Sequence, residues 1–256
     1  MIVNILLLLT GVIVGIMNGI AGGGMLIGFP VLLAAGLPAL VANATSCIIV
    51  LPGQITSAYG YRRYIRQIPR SYMLLAIPCI IGAITGVLIL RHTSSEHFEK
   101  LVPGLISFAV VLFIFQPYIH FKVRSHINGP KKHRQSLRPL IPAGLAMFPL
   151  AIYGGYFGAG FGFIMLALLG FTKLHEIHQM NALKNLMAVC IATASLITLS
   201  GAHLIDWKHG LFMATGNAIG GYTGSMTAQK YSSHTIRIIV IIIGIATAAY
   251  LVFRNY

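Results

Sequence analysis

Two glycine-rich stretches carry the least ordinary chemistry of this chain. Residues 19–30 read GIAGGGMLIGFP, and residues 155–166 read GYFGAGFGFIML. Each interrupts a long apolar run, and each precedes a polar helix start, NATS from Asn43 and NALKN from Asn181. A stable membrane helix has no need of glycines at this density. A backbone that unwinds inside a bilayer does, because unwinding frees N–H groups that can face a ligand. Gly22, Gly23 and Gly24 are consecutive, whereas Gly158, Gly160 and Gly162 alternate, a spacing that also suits an extended stretch. An unwound segment followed by a half-helix aims N–H groups and a positive dipole end at one point, which makes an anion site. The competing explanation is close packing of helices through small residues, and it suits Gly11 and Gly15 better. No Walker Lys-Ser/Thr follows either stretch, which argues against a nucleotide site.

Lys184 is the second candidate. With Asn181 and Asn185 it forms an i, i+3, i+4 set, so the three share one helix face. Asn43 and Ser46 repeat the i, i+3 relation in the first half, with Thr45 adjacent. An intramembrane lysine is expensive and calls for a functional reason. Snorkelling toward a nearby loop is the alternative, since His178 lies only about 9 Å away at ~1.5 Å per residue. No acid is close in sequence, so an anionic ligand is the expected partner. Gln54, Tyr59, Asn217, Ser225 and Thr227 are weaker candidates, for which interhelical hydrogen bonds are the commoner role. The HEIH run at residues 175–178 lacks metalloprotease spacing, and no metal site or cofactor is expected.

Composition sets the class. The 256 residues are 57% hydrophobic and 9% charged, against about 25% charged in soluble domains. An integral membrane protein follows. The net charge of +14 does not point to nucleic acid, because ten of eighteen Lys and Arg residues cluster in residues 62–70 and 122–138. That is the mark of cytoplasmic loops, with contact to anionic lipid a further implication. Only Glu96, Glu99, Glu176 and Asp206 are acidic, and all four read as lying in or near loops. A cation or proton path would place carboxylates at depth, and acid–base catalysis would pair them. The scattered Cys47, Cys79 and Cys190 read as small buried apolar residues.

The elements that must position these residues follow from the apolar runs. Residues 2–20 are long enough to span, since a crossing takes about 20 residues. The start lacks the positive n-region of a signal peptide. Residues 25–40 continue as a broken or re-entrant piece, and spans follow at 43–61, 72–90 and 101–121. The second half repeats the order at 140–157, 158–170, 181–200, 210–228 and 236–253. Gly19 falls on Gly155, 136 residues on, and Asn43 on Asn181, 138 residues on. The expectation is an all-α polytopic membrane protein built by internal duplication, with about four main segments per repeat and a broken or re-entrant helix at the start of each. Residues 1–121 and 139–256 form the repeats, and residues 122–138 a basic cytoplasmic linker. Inverted repeats place Lys173, Lys230 and Arg237 inside, with Lys208 and Arg254 outside, and are preferred over parallel ones.

At these residues the chain resembles the sulfite exporter TauE/SafE family of membrane transporters. The resemblance rests on GIAGGGMLIGFPVLLAAGLP…VANATS and YGGYFGAGFGFIMLALLG…MNALKNL, and extends over nearly the whole chain. Ala159 and Phe161 depart from a run of consecutive glycines. The resemblance implies secondary transport of a small anion such as sulfite, a sulfonate or a related organic anion, at a bacterial-type inner membrane. The expected site comprises Gly22, Gly23, Gly24, Asn43, Thr45, Ser46, Gly158, Gly160, Gly162, Asn181, Lys184 and Asn185. An anion channel or membrane scaffold without a coupled cycle is the alternative, and a membrane-embedded enzyme lacks its acid–base pairs. The sequence leaves the oligomeric state and the identity of the anion open.

Overall fold

The computed structural model describes residues 2–20, 22–127, 140–172, 174 and 176–229. The expected last span at 236–253, the linker at 128–138, and Lys173 and His175 lie outside them. All regular structure among the described residues is helical. In chain order the helices are α1 (Ile2–Ile20), α2 (Met25–Ala34), α3 (Ala39–Gly60), α4 (Arg62–Ile65), α5 (Ala76–His92), α6 (Ser95–Ile127), α7 (Leu140–Tyr156), α8 (Phe161–Leu169), α9 (Ile177–Leu199) and α10 (Trp207–Ala228). A 3-10 turn over Arg70–Leu75 leads into α5. Four stretches are long and apolar enough to cross a membrane: Val3–Ile20, Ala39–Gly60, Arg70–His92 and Ile177–Leu199. Their outer faces expose Leu6, Leu9, Ile77, Ile81 and Ile197, as lipid-facing helices do. The chain is a multi-pass membrane protein.

Contacts fix the direction of each helix. Gly11, Gly15 and Gly19 meet Met213, Asn217 and Ser225 in that order, so α1 and α10 run parallel. Gly82 meets Phe148 and Ala151, and Gly86 meets Ile152 and Tyr156, so α5 and α7 also run parallel. Helices α3 and α9 run antiparallel. The Tyr61 ring, just past α3, stacks on His178 at the start of α9. At the other end Thr45 Oγ1 accepts the N–H of Asp206, seven residues past the end of α9.

Both half-helices must therefore re-enter. Tyr61 donates its hydroxyl hydrogen to Gly19 O, so α1 and α3 end on the same side, the side of the basic segment at 62–70. Helix α3 also starts on the side where α1 starts. Residues 21–38 thus return the chain, and α2 does so by folding back on α1, with Gly24 and Gly28 both packed on Val14. Helix α7 runs away from the basic side, yet α9 begins there against Tyr61 and Tyr64. Residues 157–176 make the second return. Ten residues of α2 and nine of α8 are only about 14–15 Å long, half of a ~30 Å bilayer core.

Two composite bundles result. Helices α1, α3 and α10 pack as one, and α5, α7 and α9 as the other, while α3 and α9 face each other across the seam. Glycines set the spacing inside each bundle. A Cβ at Gly15, Gly216 or Gly220 would collide with a backbone carbonyl of the partner helix, as would one at Gly86 or Gly155. Without a hydrophobic drive between helices in lipid, such backbone-to-backbone packing holds the pair together. Gly11 and Gly15 take the packing role that their spacing predicts.

A substitution inside this seam differs sharply from one outside it. Gly220→Val drives methyl groups into the carbonyl of Val12, whereas a Cβ at Gly104 on α6 meets none of the described residues. Overpacking typically costs about 1–3 kcal/mol. Gly220→Val is expected to lower the thermal unfolding midpoint of detergent-purified protein, with Gly104→Ala unchanged. Equal midpoints for the two variants would count against this packing.

Candidate functional site

The two glycine breaks have the same local construction. Helix α1 ends with Gly22 N–H on Met17 O at 2.9 Å, and α7 ends with Gly158 N–H on Tyr153 O at 3.1 Å. Both bonds reach back five residues, and in each the donor is itself a left-handed glycine. Gly22 has φ of 102° and Gly158 of 73°, and Gly23 and Gly160, both at 77°, are left-handed too. Only glycine takes these angles without strain. The chain then starts again as α2 at Met25 and as α8 at Phe161.

The breaks touch. A Cβ on Gly22 would lie 2.8 Å from Gly162 Cα, and one on Gly23 would enter the Phe163 ring. Beside this contact, between α3 and α9, lies a cavity of about 70 Å³. A buried water needs roughly 10–15 Å³ on this measure, so the space accommodates a compact polyatomic ion. The first half of the chain contributes Asn18, Gly22, Gly23 and Met25 from around the break, with Ser46, Cys47, Val50 and Gln54 from α3. The second contributes Gly154, Gly158, Phe161 and Gly162, with Lys184, Ala188, Ile191, Ala192 and Ser195 from α9. Both half-helix N-termini open onto the cavity, which brings their positive dipole ends to one place.

Lys184 is the charge at this site. Its side chain is 1% exposed, and Nζ donates to Asn18 O at 2.9 Å. It does not snorkel. Among the described residues no carboxylate lines the cavity. Glu96 pairs with Lys100 on the surface, where that hydrogen bond holds its carboxyl below the usual range. Asp206 caps α10 by accepting the His209 N–H at 2.9 Å. Partial burial pushes its carboxyl up, but this bond and others from His209 and Lys208 hold it below its ordinary value. Lys184 Nζ is thus buried on one neutral carbonyl, a costly arrangement for a cation.

Six of the twelve residues expected at the site line the cavity: Gly22, Gly23, Ser46, Gly158, Gly162 and Lys184. The other six do not. Gly24 N–H is taken by Asn18 Oδ1, and Gly160 packs on Ala109 of α6. Asn43 donates its amide to Tyr156 O at 2.8 Å, closing the end of α7, and Thr45 holds Asp206. Asn181 and Asn185 are buried away from the cavity, although Asn181 Oδ1 and both amide atoms of Asn185 find no partner among the described residues. Of the weaker candidates Gln54 does line the cavity. Tyr59 is exposed, Ser225 and Thr227 bond to carbonyls of their own helix, and Asn217 is wedged over Gly53. Asn18 and Ser195 were not anticipated. Asn18, one residue before the first glycine stretch and inside an apolar span, carried a readable signal.

Half-helices that fold back on the helix before them, with their N-termini meeting at a cavity that holds a buried lysine, are the build of a membrane transporter. Residues 7–251 match the sulfite exporter TauE/SafE family, and the chain belongs to that family. It is 28% identical to a probable membrane transporter protein of Haemophilus influenzae, over 97% of this chain and 94% of that one. It is 27% identical to the probable membrane transporter protein ORF9 of a Sinorhizobium species, over 92% and 87%. A third relative, the probable membrane transporter protein YfcA of Escherichia coli K12, is 23% identical over 98% and 90%. No solved structure matches. The protein is a membrane transporter of this family, set in lipid and acting on a small-molecule substrate.

The placement of Asn43 separates architecture from binding. Asn43→Ala removes one buried interhelical hydrogen bond, worth about 1 kcal/mol. The expected result is a lower unfolding midpoint with unchanged affinity for any ligand of the cavity. A large loss of ligand affinity without loss of stability would instead return Asn43 to the binding site.

Proposed function

We propose that the protein is a secondary transporter that exports a small anion, such as sulfite, a sulfonate or a related organic anion, across the bacterial inner membrane. The observation that carries this reading is the Lys184 ammonium, buried on a backbone carbonyl beside two half-helix N-termini with no carboxylate lining the cavity. The family description and the names of the relatives agree with it. Gly22, Gly23, Gly158 and Gly162 shape the cradle, Ser46 adds a neutral hydroxyl, and Lys184 supplies the charge. Among the described residues the cavity presents no paired carboxylates.

We also propose that the chain is an inverted duplication and that its moving parts are the composite bundles. Helix order supports this: α1, α2, α3 and α5 correspond in sequence and direction to α7, α8, α9 and α10, read from the opposite side. Each bundle, however, borrows helices from both halves. Movement of one repeat against the other would tear α1 from α10 and α5 from α7, where backbones touch. Alternating access then comes from rocking across the α3–α9 seam, around the cavity.

Two measurements test these readings. In proteoliposomes offered sulfite, methanesulfonate, sulfate and acetate, Lys184→Met is expected to weaken anion affinity roughly ten- to a hundredfold, the loss of one charged hydrogen bond of about 1.5–3 kcal/mol. The variant should remain monodisperse in detergent. Unchanged affinity for the transported anion would sink the role of Lys184.

In a background without native cysteines, a short bifunctional thiol linker joins Tyr61→Cys to His178→Cys across the seam. The same linker joins Thr56→Cys to Ala218→Cys within one bundle, where Thr56 bonds Ala218 O. Transport should stop on linking the first pair and persist on linking the second. Inhibition by both would exclude rigid composite bundles.

A further inference from the structure

Resting on the anion-site reading above, we propose that Asn18 is a substrate-binding and positioning residue that selects anions with at least two acceptor oxygens. Asn18 lies in the last turn of α1, is 5% exposed, and lines the cavity. Two of its polar atoms are committed. Its backbone oxygen accepts from Lys184 Nζ at 2.9 Å, and its side-chain Oδ1 accepts the Gly24 N–H at 2.9 Å.

The second of these bonds fixes the amide. A backbone N–H can only donate, so the atom facing Gly24 must be the oxygen. Nδ2 is thereby turned to the other side, where it is buried and has no acceptor among the described residues. An amide NH₂ left unpaired in a buried site costs the full desolvation of that group. Lys184 has the complementary surplus, since its ammonium has three protons and one is used on Asn18. One residue therefore gathers two unsatisfied donors, Nδ2 through its own amide and Nζ through its carbonyl. A ligand with two acceptor oxygens can take both, one oxygen to each donor.

The same bonds tie ligand binding to the half-helix. Gly24 immediately precedes α2, and its N–H is one of the orphan donors of a helix start. Asn18 occupies that donor and at the same time holds the ammonium, so a ligand pulling on Nδ2 loads the first break and Lys184 together. The second repeat has no equivalent, because position 154, which is 136 residues on, is glycine. The Phe161 ring covers that position at 2.8 Å from an added Cβ. The donors thus gather on one side of a cavity whose glycine frame is duplicated.

Asn18→Asp is the discriminating variant. The carboxylate still accepts from Gly24, so a purely structural role is preserved. It replaces the NH₂ by an oxygen and sets an anion beside Lys184 that competes with the ligand. Purified wild type, Asn18→Asp, Asn18→Ala and Lys184→Met are titrated with sulfite, methanesulfonate, acetate and bromide, and stabilisation against heat is read as apparent affinity.

Wild type is expected to bind the three oxyanions in preference to bromide. Asn18→Asp is expected to fold with a midpoint at or above wild type and to lose oxyanion affinity by at least about tenfold. Asn18→Ala keeps the backbone carbonyl and should lose preference for oxyanions over bromide, which keeps the test open if the aspartate variant misfolds. Wild-type affinity in both Asn18 variants, with Lys184→Met weakened, overturns the role of Asn18 and leaves the anion site standing. No weakening in any variant, or no stabilisation of wild type by any of the four anions, overturns the anion site and this inference with it.

Discussion

In the core of a bilayer a backbone N–H or C=O has no water to bond, and each unpaired group costs several kcal/mol by order of magnitude. This chain nonetheless breaks its helices twice inside the membrane. The breaks survive because each is closed by its own hydrogen bond reaching back five residues and then buried against the other, Gly22 on Gly162. Side chains cover the remaining acceptors: Tyr61 bonds Gly19 O, and Tyr153 bonds Ala159 O at 2.6 Å. Everything else in the fold follows from keeping this junction covered. Helices α3 and α9 flank it, and glycine-packed pairs on either side brace them.

The sequence exposes this junction because glycine at such density has few other uses in a membrane. Helix α1 spans the residues read from hydropathy alone, and both breaks fall where the glycines place them. The starts of α3 and α9 do not. They begin at Ala39 and Ile177, four residues before Asn43 and Asn181. Asparagine favours helix caps, which suggested a boundary, but Pro38 already supplies an extended residue at which α3 can start. Asn43 is thereby moved one turn inside and turned onto α7. Helix α6 runs over Ser95–Ile127, past the expected 101–121, because polar flanks outside the bilayer continue a helix that hydropathy alone would end.

The site was legible in part for a related reason. Lys184 announces itself, since an uncompensated ammonium in an apolar helix has few tolerable explanations. Its helix-face partners were less legible. A shared face at i, i+3 and i+4 spans a wide arc, and of the α9 residues described only Lys184, Ala188, Ile191, Ala192 and Ser195 reach the cavity. Asn181 lies one turn before Lys184 and Asn185 beside it. Asn18 is not marked by local spacing, because half-helix N-termini lie downstream of each break whereas the Gly24 N–H at the start of α2 is capped from the helix before it. No local spacing rule reveals that a residue 166 positions away in sequence meets Lys184.

Frame and function place opposite demands on this architecture. The two breaks match in local construction and the two seam helices run antiparallel, with the cavity between them. A fully symmetric lining would put two lysines together, and like charges a few ångströms apart repel at a cost that grows as the site dries. The chain avoids this by placing lysine on α9 at 184 and serine on α3 at 46, 138 positions apart. The glycine frame retains the symmetry, and the charge departs from it. Among the described residues one basic side chain stands at the cavity, with two half-helix N-termini beside it. Conservation of backbone geometry with asymmetry of side chains is how a two-sided frame comes to hold a single ligand.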